Sequence, residues 1–236
     1  MRVFAIGDLH LDGGEDKPMN IFGDQWEGHF EKISEDWLKR VGQDDLVLIP
    51  GDISWAMQLE NAIPDLQRIA ALPGSKVLLR GNHDYWWPGI GRLRSVLPEG
   101  MYAVQNDALH IGGITVAGTR GWMLPGMGLS ADDERIYRRE LMRLGLSLDH
   151  AARLGGTLVV MTHYPPLAES GDPTEVTRMI DEAGASWCVY GHLHGPSCKT
   201  SFHGMLNGTS YACVSCDQLD FSLFELPLSE NDTDVQ

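Results

Sequence analysis

Lys76-Val77-Leu78-Leu79-Arg80-Gly81-Asn82-His83-Asp84 changes character abruptly: an apolar run gives way to four polar side chains in five positions. A short continuous apolar run closed by a turn signal reads as a parallel strand buried on both faces. Gly81 supplies the sharp exit, and Asn82 and His83 then stand above the carboxyl edge of the sheet, where open α/β sheets bind ligands. The pattern recurs. Val3-Phe4-Ala5-Ile6 runs into Gly7-Asp8-Leu9-His10, and Leu46-Val47-Leu48-Ile49 into Pro50-Gly51-Asp52. Thr157-Leu158-Val159-Val160-Met161 leads to Thr162-His163, and Trp187-Cys188-Val189-Tyr190 to Gly191-His192-Leu193-His194. Five strands finishing in Asp, Asn or His at one edge imply a polar cluster with metal-ligand chemistry.

Helical patterns alternate with these strands. Phe30, Ile33, Trp37, Leu38 and Val41 predict an amphipathic helix over His29 to Val41. Gln58 to Leu72 reads as a second, which Pro64 should begin or kink. Between them and the first strand, Leu11 to Trp26 reads as a long surface loop beside the site. A short helix is expected near Ile90 to Leu97. Tyr102-Val104, Leu109-Ile111 and Ile114-Gly118 then read as a β-meander of a second sheet, with Gly112-Gly113 as one turn. Ser130 caps a helix over Ala131 to Leu154, with Asp132, Asp133 and Glu134 in its first turn. A short helix covers Thr174 to Ala183, and Met205 to Leu226 should add antiparallel strands to the second sheet. The expectation is one domain over 1–228 with a flexible acidic tail over 229–236.

Composition narrows the function classes. The 236 residues carry 18 Lys and Arg against 33 Asp and Glu, a formal net charge of −15. That balance argues against binding to nucleic acid or an anionic membrane, and leaves room for a small anionic substrate held by local positive charge. The N-terminal stretch lacks a secretory pattern, no apolar run approaches the roughly 18 residues that span a bilayer, and the four cysteines do not form a dense framework. The cytoplasm is the expected compartment. Oligomeric state is left open.

Asp8, His10, Asp52, Asn82, His163, His192 and His194 form a nitrogen and oxygen donor set without thiolate, suited to Mn, Fe, Zn, Co or Ni. Seven donors exceed one centre with open positions; with Asp52 bridging, they divide between two metals. Two cations about 3.5–4 Å apart are the clamp for in-line displacement at phosphorus by an activated hydroxide. His83, beside Asn82, is then placed to protonate a leaving oxygen as general acid.

Gly-Asp-x-His at 7–10, Gly-Asp at 51–52, Gly-Asn-His-Asp at 81–84, Thr-His at 162–163 and Gly-His-x-His at 191–194 together resemble the five blocks of the calcineurin-like metallophosphoesterases. The resemblance implies a four-layer α/β/β/α sandwich of two mixed sheets with a dinuclear site. It implies Asp8, His10 and His194 on one metal, Asn82, His163 and His192 on the other, Asp52 between them, and His83 as the catalytic histidine. Arg80 resembles the phosphate-binding arginine that precedes the third block in the protein Ser/Thr phosphatases of the superfamily. The second block, Gly51-Asp52-Ile53-Ser54-Trp55-Ala56, departs from theirs, and Asp84 stands where they carry Glu. The Asn-His-Asp form is more similar to the bacterial phosphodiesterase and small-molecule branch.

The activity expected is hydrolysis of a phosphodiester or phosphomonoester of a small substrate. The competing reading is a non-catalytic metal-binding scaffold on the same fold, and the full donor set favours the enzyme. Trp55, Trp86, Trp87 and Trp122 form either an aromatic wall for the substrate, with Trp86 as its test, or loop packing. Of Arg120, Arg135, Arg138, Arg139 and Arg143, only Arg120 is expected at the site; the others read as a solvated helix face. His29, His110, His150 and His203 lie outside the strand ends, and Cys213 and Cys216, despite redox spacing, read as structural thiols.

Overall fold

The computed structural model describes residues 1–14, 17, 19–126 and 128–228. Strand β1 (Val3–Ala5) is followed by α1 (His29–Arg40), β2 (Leu46–Ile49), α2 (Leu59–Ala70), β3 (Ser75–Leu78) and α3 (Ile90–Arg94). Next come β4 (Met101–Ala103), the hairpin of β5 (Ala108–Ile111) and β6 (Ile114–Thr119), and the long α4 (Ala131–Leu154). Then follow β7 (Thr157–Thr162), α5 (Glu175–Glu182), β8 (Trp187–Tyr190), β9 (Gly204–Leu206), β10 (Thr209–Cys213) and β11 (Phe224–Leu226).

The strands form two mixed sheets. One has the order β11-β1-β2-β3-β4, parallel except for β11; the other runs β5-β6-β7-β8-β10-β9, with antiparallel edges at β5 and β9. Strand periodicity distributes the side chains. Val3, Ala5, Leu46, Leu48 and Val77 meet Val116, Val159, Met161 and Val189 between the sheets, while Phe4, Val47, Ile49 and Leu78 face Ile33, Trp37, Leu66 and Ile69 of α1 and α2. On the far side, Val160, Cys188 and Tyr190 pack under Leu144 and Leu148 of α4 and Ile180 of α5. The layers are therefore α/β/β/α, and the central strands β1, β2, β7 and β8 are largely apolar because both faces are covered.

Helix ends follow local chemistry. Ser130 and Asp133 form a reciprocal capping box at α4, and Thr174 and Thr177 do the same at α5. Gly112 and Gly113, with φ of 54° and 86°, close the β5–β6 hairpin in the conformation a two-residue turn requires.

Three expectations are corrected. β4 is not part of a meander: it pairs in parallel with β3 in the first sheet, since the chain returns over α3 before crossing to the hairpin. β10 lies parallel to β8, and β11 returns to the first sheet beside β1. Pro64, expected to begin or kink α2, sits inside it. The stretch after His10 is not merely surface loop: its described part contains short 3-10 turns at Met19–Phe22 and Asp24–Trp26, which bury Met19 and Trp26. The expected tail at 229–236 lies outside the described residues.

Candidate metal centre

The five strand ends expected to converge do so at the carboxyl edges of both sheets. Beyond β1 and β2 the backbones stay in register, with the Asp8 N–H donating to the Gly51 carbonyl at 2.9 Å and the His10 N–H to the Asp52 carbonyl at 3.0 Å. Across the second sheet, the Gly191 N–H donates to the His163 carbonyl at 3.1 Å. Asp8, His10, Asp52 and His192 hold left-handed backbone, with φ of 59°, 43°, 52° and 75°. Such φ values are costly for residues with a Cβ and cluster at functional sites. Two glycines admit the carboxylates: a Cβ on Gly81 would lie 2.1 Å from Asp52 Oδ1, and one on Gly191 would lie 2.3 Å from Asp8 Oδ2.

These turns bring all seven expected donors together. Asp8, His10 and His194 form one group and Asp8, Asp52 and His163 another, the donor atoms of each within 4.8 Å of one another. His10 Nε2 faces His194 Nε2 at 3.3 Å, His194 Nε2 lies 3.5 Å from Asp8, and His163 Nε2 lies 3.4 Å from Asp52. Asn82 Oδ1 stands 2.6 Å from His163 Nε2 and 2.9 Å from His192 Nδ1. The buried carboxylates of Asp8 and Asp52 have, among the described residues, only histidines as ionic partners.

Electrostatics test whether the cluster fits cations. Burial alone would raise the Asp52 carboxyl, but His163 and His10 outweigh it and hold Asp52 well below the ordinary range. Conversely, burial disfavours charged His163 and His194, yet Asp52 lifts the first to about 9, and Asp217 with Asp8 lifts the second to about 10. Burial pushes His10 and His192 down to about 4, leaving both as neutral imidazoles. Protons on His163 and His194 thus balance charge that cations would balance directly. Two nearly dry carboxylates and converging imidazole nitrogens, with no Lys or Arg paired to those carboxylates among the described residues, fit divalent cations.

Around this cluster, the His83 N–H donates to Asp52 Oδ1 at 2.8 Å; its half-buried ring lies 4.6 Å from Trp55, and its Nδ1 has no protein partner. Trp55 also stacks on His10 at 4.7 Å. Trp86 is placed elsewhere. It is 2% exposed, and its Nε1 donates to Asp84, so its surroundings are those of the packing reading; Trp87 is likewise buried and bonded to Gln105. The Arg80 Nε is buried without a partner. The Arg120 carbonyl accepts from the N–H groups of His163 and Tyr164, while its guanidinium lies over Trp122 at 4.7 Å. Cys213 and Cys216 are buried free thiols, burial pushing Cys213 up to about 11, in keeping with structural roles.

Three residues escaped sequence reasoning. Asp217 Oδ1 lies 3.0 Å from His194 Nδ1, and Trp26 packs edge-on against His10 and tilted against His194. Asp84 accepts from the N–H groups of Gly81, Asp52 and Ile53, and from Trp86 Nε1, tying the second strand-end loop to the third. Asp217 carried a readable signal, for it follows the apolar end of β10 as Asp8 follows β1.

Comparison with known proteins points the same way. A family profile described as calcineurin-like phosphoesterase matches residues 1–196. The gene 66 protein of Mycobacterium phage L5 is 27% identical over 197 residues, covering 83% of this chain and 78% of that one. Phosphopantetheinyl hydrolase from Mycobacterium tuberculosis superposes with a TM-score of 0.56 at 14% identity, covering 98% of this chain and 97% of that one. A protein of unknown function from Aquifex aeolicus does so with a TM-score of 0.51 at 16% identity, with 95% of each chain covered.

Proposed function

The chain belongs to the calcineurin-like phosphoesterase family, and from that premise we propose that it hydrolyses phosphate esters of small molecules, diester or monoester, at a centre of two divalent cations. Family membership and the buried acid–histidine cluster support a metal-dependent phosphoesterase in general. The observation that carries the finer reading is the convergence of Asp8, His10, Asp52, Asn82, His163, His192 and His194.

In this reading, Asp8, His10 and His194 hold one cation, Asn82, His163 and His192 the other, and Asp52 is shared. When bound, the cations supply neutralisation of phosphoryl charge and acidify the attacking water. The chain's own residues do the rest. Asp217 and Asp84 fix the orientation of His194 and Asp52 through the bonds described above. His83, anchored by its own N–H on Asp52, presents its ring at the half-buried mouth and holds the proton for the leaving oxygen. Arg80, two residues before Asn82, offers a buried Nε–H without a partner to a phosphate of the substrate. Trp55, flat against His10, keeps water from that side of the cluster.

The test is hydrolysis of bis(p-nitrophenyl) phosphate and p-nitrophenyl phosphate by metal-stripped protein reconstituted with Mn²⁺, with Asp52→Asn as control. Turnover by the wild type alone supports the mechanism, and the faster ester names the substrate class. Failure on both esters with Mn²⁺, Zn²⁺, Fe²⁺, Co²⁺ and Ni²⁺ overturns it.

A further inference from the structure

Beside the cluster, between the end of β3, the segment after β4, the end of β6 and the middle of α4, lies a cavity of about 210 Å³. Four of its lining residues are arginines, Arg80, Arg120, Arg139 and Arg143, and one is acidic, Glu140, which leaves a surplus of three positive charges. In a chain of net charge −15, that surplus is the reverse of the average.

Glu140 cannot balance it. One of its oxygens accepts from Thr119 Oγ1 at 2.6 Å, the other from Arg143 Nη1 at 2.6 Å, and Arg120 reaches no closer than 4.0 Å. Among the described residues neither Arg80 nor Arg139 forms an ion pair, and the Arg80 Nε is buried without a hydrogen-bond partner. Burial pushes Arg120 below its ordinary value, and the neighbouring charges of Arg80 and Arg143 add to the effect. Arg139 and Arg143 are one helical turn apart on α4, a spacing at which like charges repel. Four arginines lining a cavity with room for several waters match the guanidinium recognition of a phosphate.

The cavity adjoins the metal centre through two of its walls. Arg80 leads through Gly81 to Asn82, and the Arg120 carbonyl is bonded to the His163 N–H at 3.0 Å. We infer that this cavity binds a second phosphate of the substrate, remote from the bond that is cleaved, so that the preferred substrates are small molecules bearing two phosphoryl groups. The inference rests on the phosphoesterase reading above for the position of the first phosphate.

The probe is calorimetric binding of ethylphosphonate and of alkane bisphosphonates of graded chain length to the Mn²⁺-loaded full chain, a measurement that needs no turnover. At the fitting length the bisphosphonate should bind about tenfold or more tighter than ethylphosphonate, because the second contact becomes intramolecular. Arg139→Gln should cut that gain to about twofold, and Arg139→Lys should keep only part of it, since the charge remains while the bidentate fork is lost. Arg139 is exposed and, among the described residues, bonded to no carboxylate, so its substitution does not strand Glu140. No gain at any length, or a gain that survives Arg139→Gln, overturns the inference. Two ethylphosphonates per chain without gain from tethering also overturns it, in favour of a free-anion site. Absence of ester hydrolysis with a tethering gain intact would instead overturn the phosphoesterase reading alone.

Discussion

Asp217 holds the His194 ring at Nδ1 with one oxygen and accepts from the Gly195 N–H at 2.8 Å with the other, so a single carboxylate fixes both a proposed ligand and its loop. Removing such a partner costs roughly 10–100-fold in metal affinity. Asp217→Ala should therefore weaken Mn²⁺ binding by that factor in a calorimetric titration, and an unchanged affinity would exclude Asp217 from the role. At this scale the sequence was legible where a residue sits directly after a strand it was known to follow. Asp8, Asp52, Asn82, His163 and His192 are all of that kind. Asp217 was missed because its strand was read as antiparallel, which would have sent its end to the opposite edge. Trp86 illustrates the converse limit: proximity along the chain to Asn82 says nothing about which way an indole turns, and here Asp84 supplies the acceptor that draws it inward.

Lys76 belongs to the scale of elements. It lies in β3 on the face shared with Leu78, is 3% exposed, and sends its Nζ to the carbonyls of Leu72 and Ala70 at the carboxyl end of α2. Burial pushes the ammonium down to about 8. From about 8 up to the ordinary lysine value, the unfolded chain holds a proton the folded chain has released, so this group makes stability rise with pH across that window. Urea unfolding should show the wild type gaining on the order of 1 kcal/mol over Lys76→Met between pH 8 and 9.5; parallel pH dependences would refute it. The parallel strands were readable as elements because their apolar runs and loops carry strong signals. The sheet to which each strand belongs was not. β4 follows α3 and looks like the first arm of a meander, yet crossing to the other sheet happens only at the next turn, and no local residue marks that choice. β11 shows the same, returning across the molecule to pair with β1.

At the scale of the whole molecule, the proposed ligands come from both sheets: Asp8, Asp52 and Asn82 from one edge, His163 and His192 from the other. Cations held between them would tie the sheets together. A hundredfold excess of metal over its Kd stabilises a fold by about 2.7 kcal/mol, which for a chain of this size raises Tm by roughly 5–10 °C. Chelation should lower Tm by that amount and Mn²⁺ should restore it, whereas Asp52→Asn should show little of the shift. Equal melting with and without metal would contradict a centre shared by the two sheets. Net charge was legible from composition and argued against polyanionic polymers; its distribution was not, since the arginines of α4 meet Arg80 and Arg120 only once the sheets are stacked. The left-handed backbone at Asp8, His10, Asp52 and His192 has a consequence for selection. Glycine is the residue those φ values favour, so a library screened for folding alone should enrich Gly at these four positions. Variants would become more robust as they lost their donors, and the rarity of Gly there in an activity screen would measure how strongly the chemistry holds the chain in place.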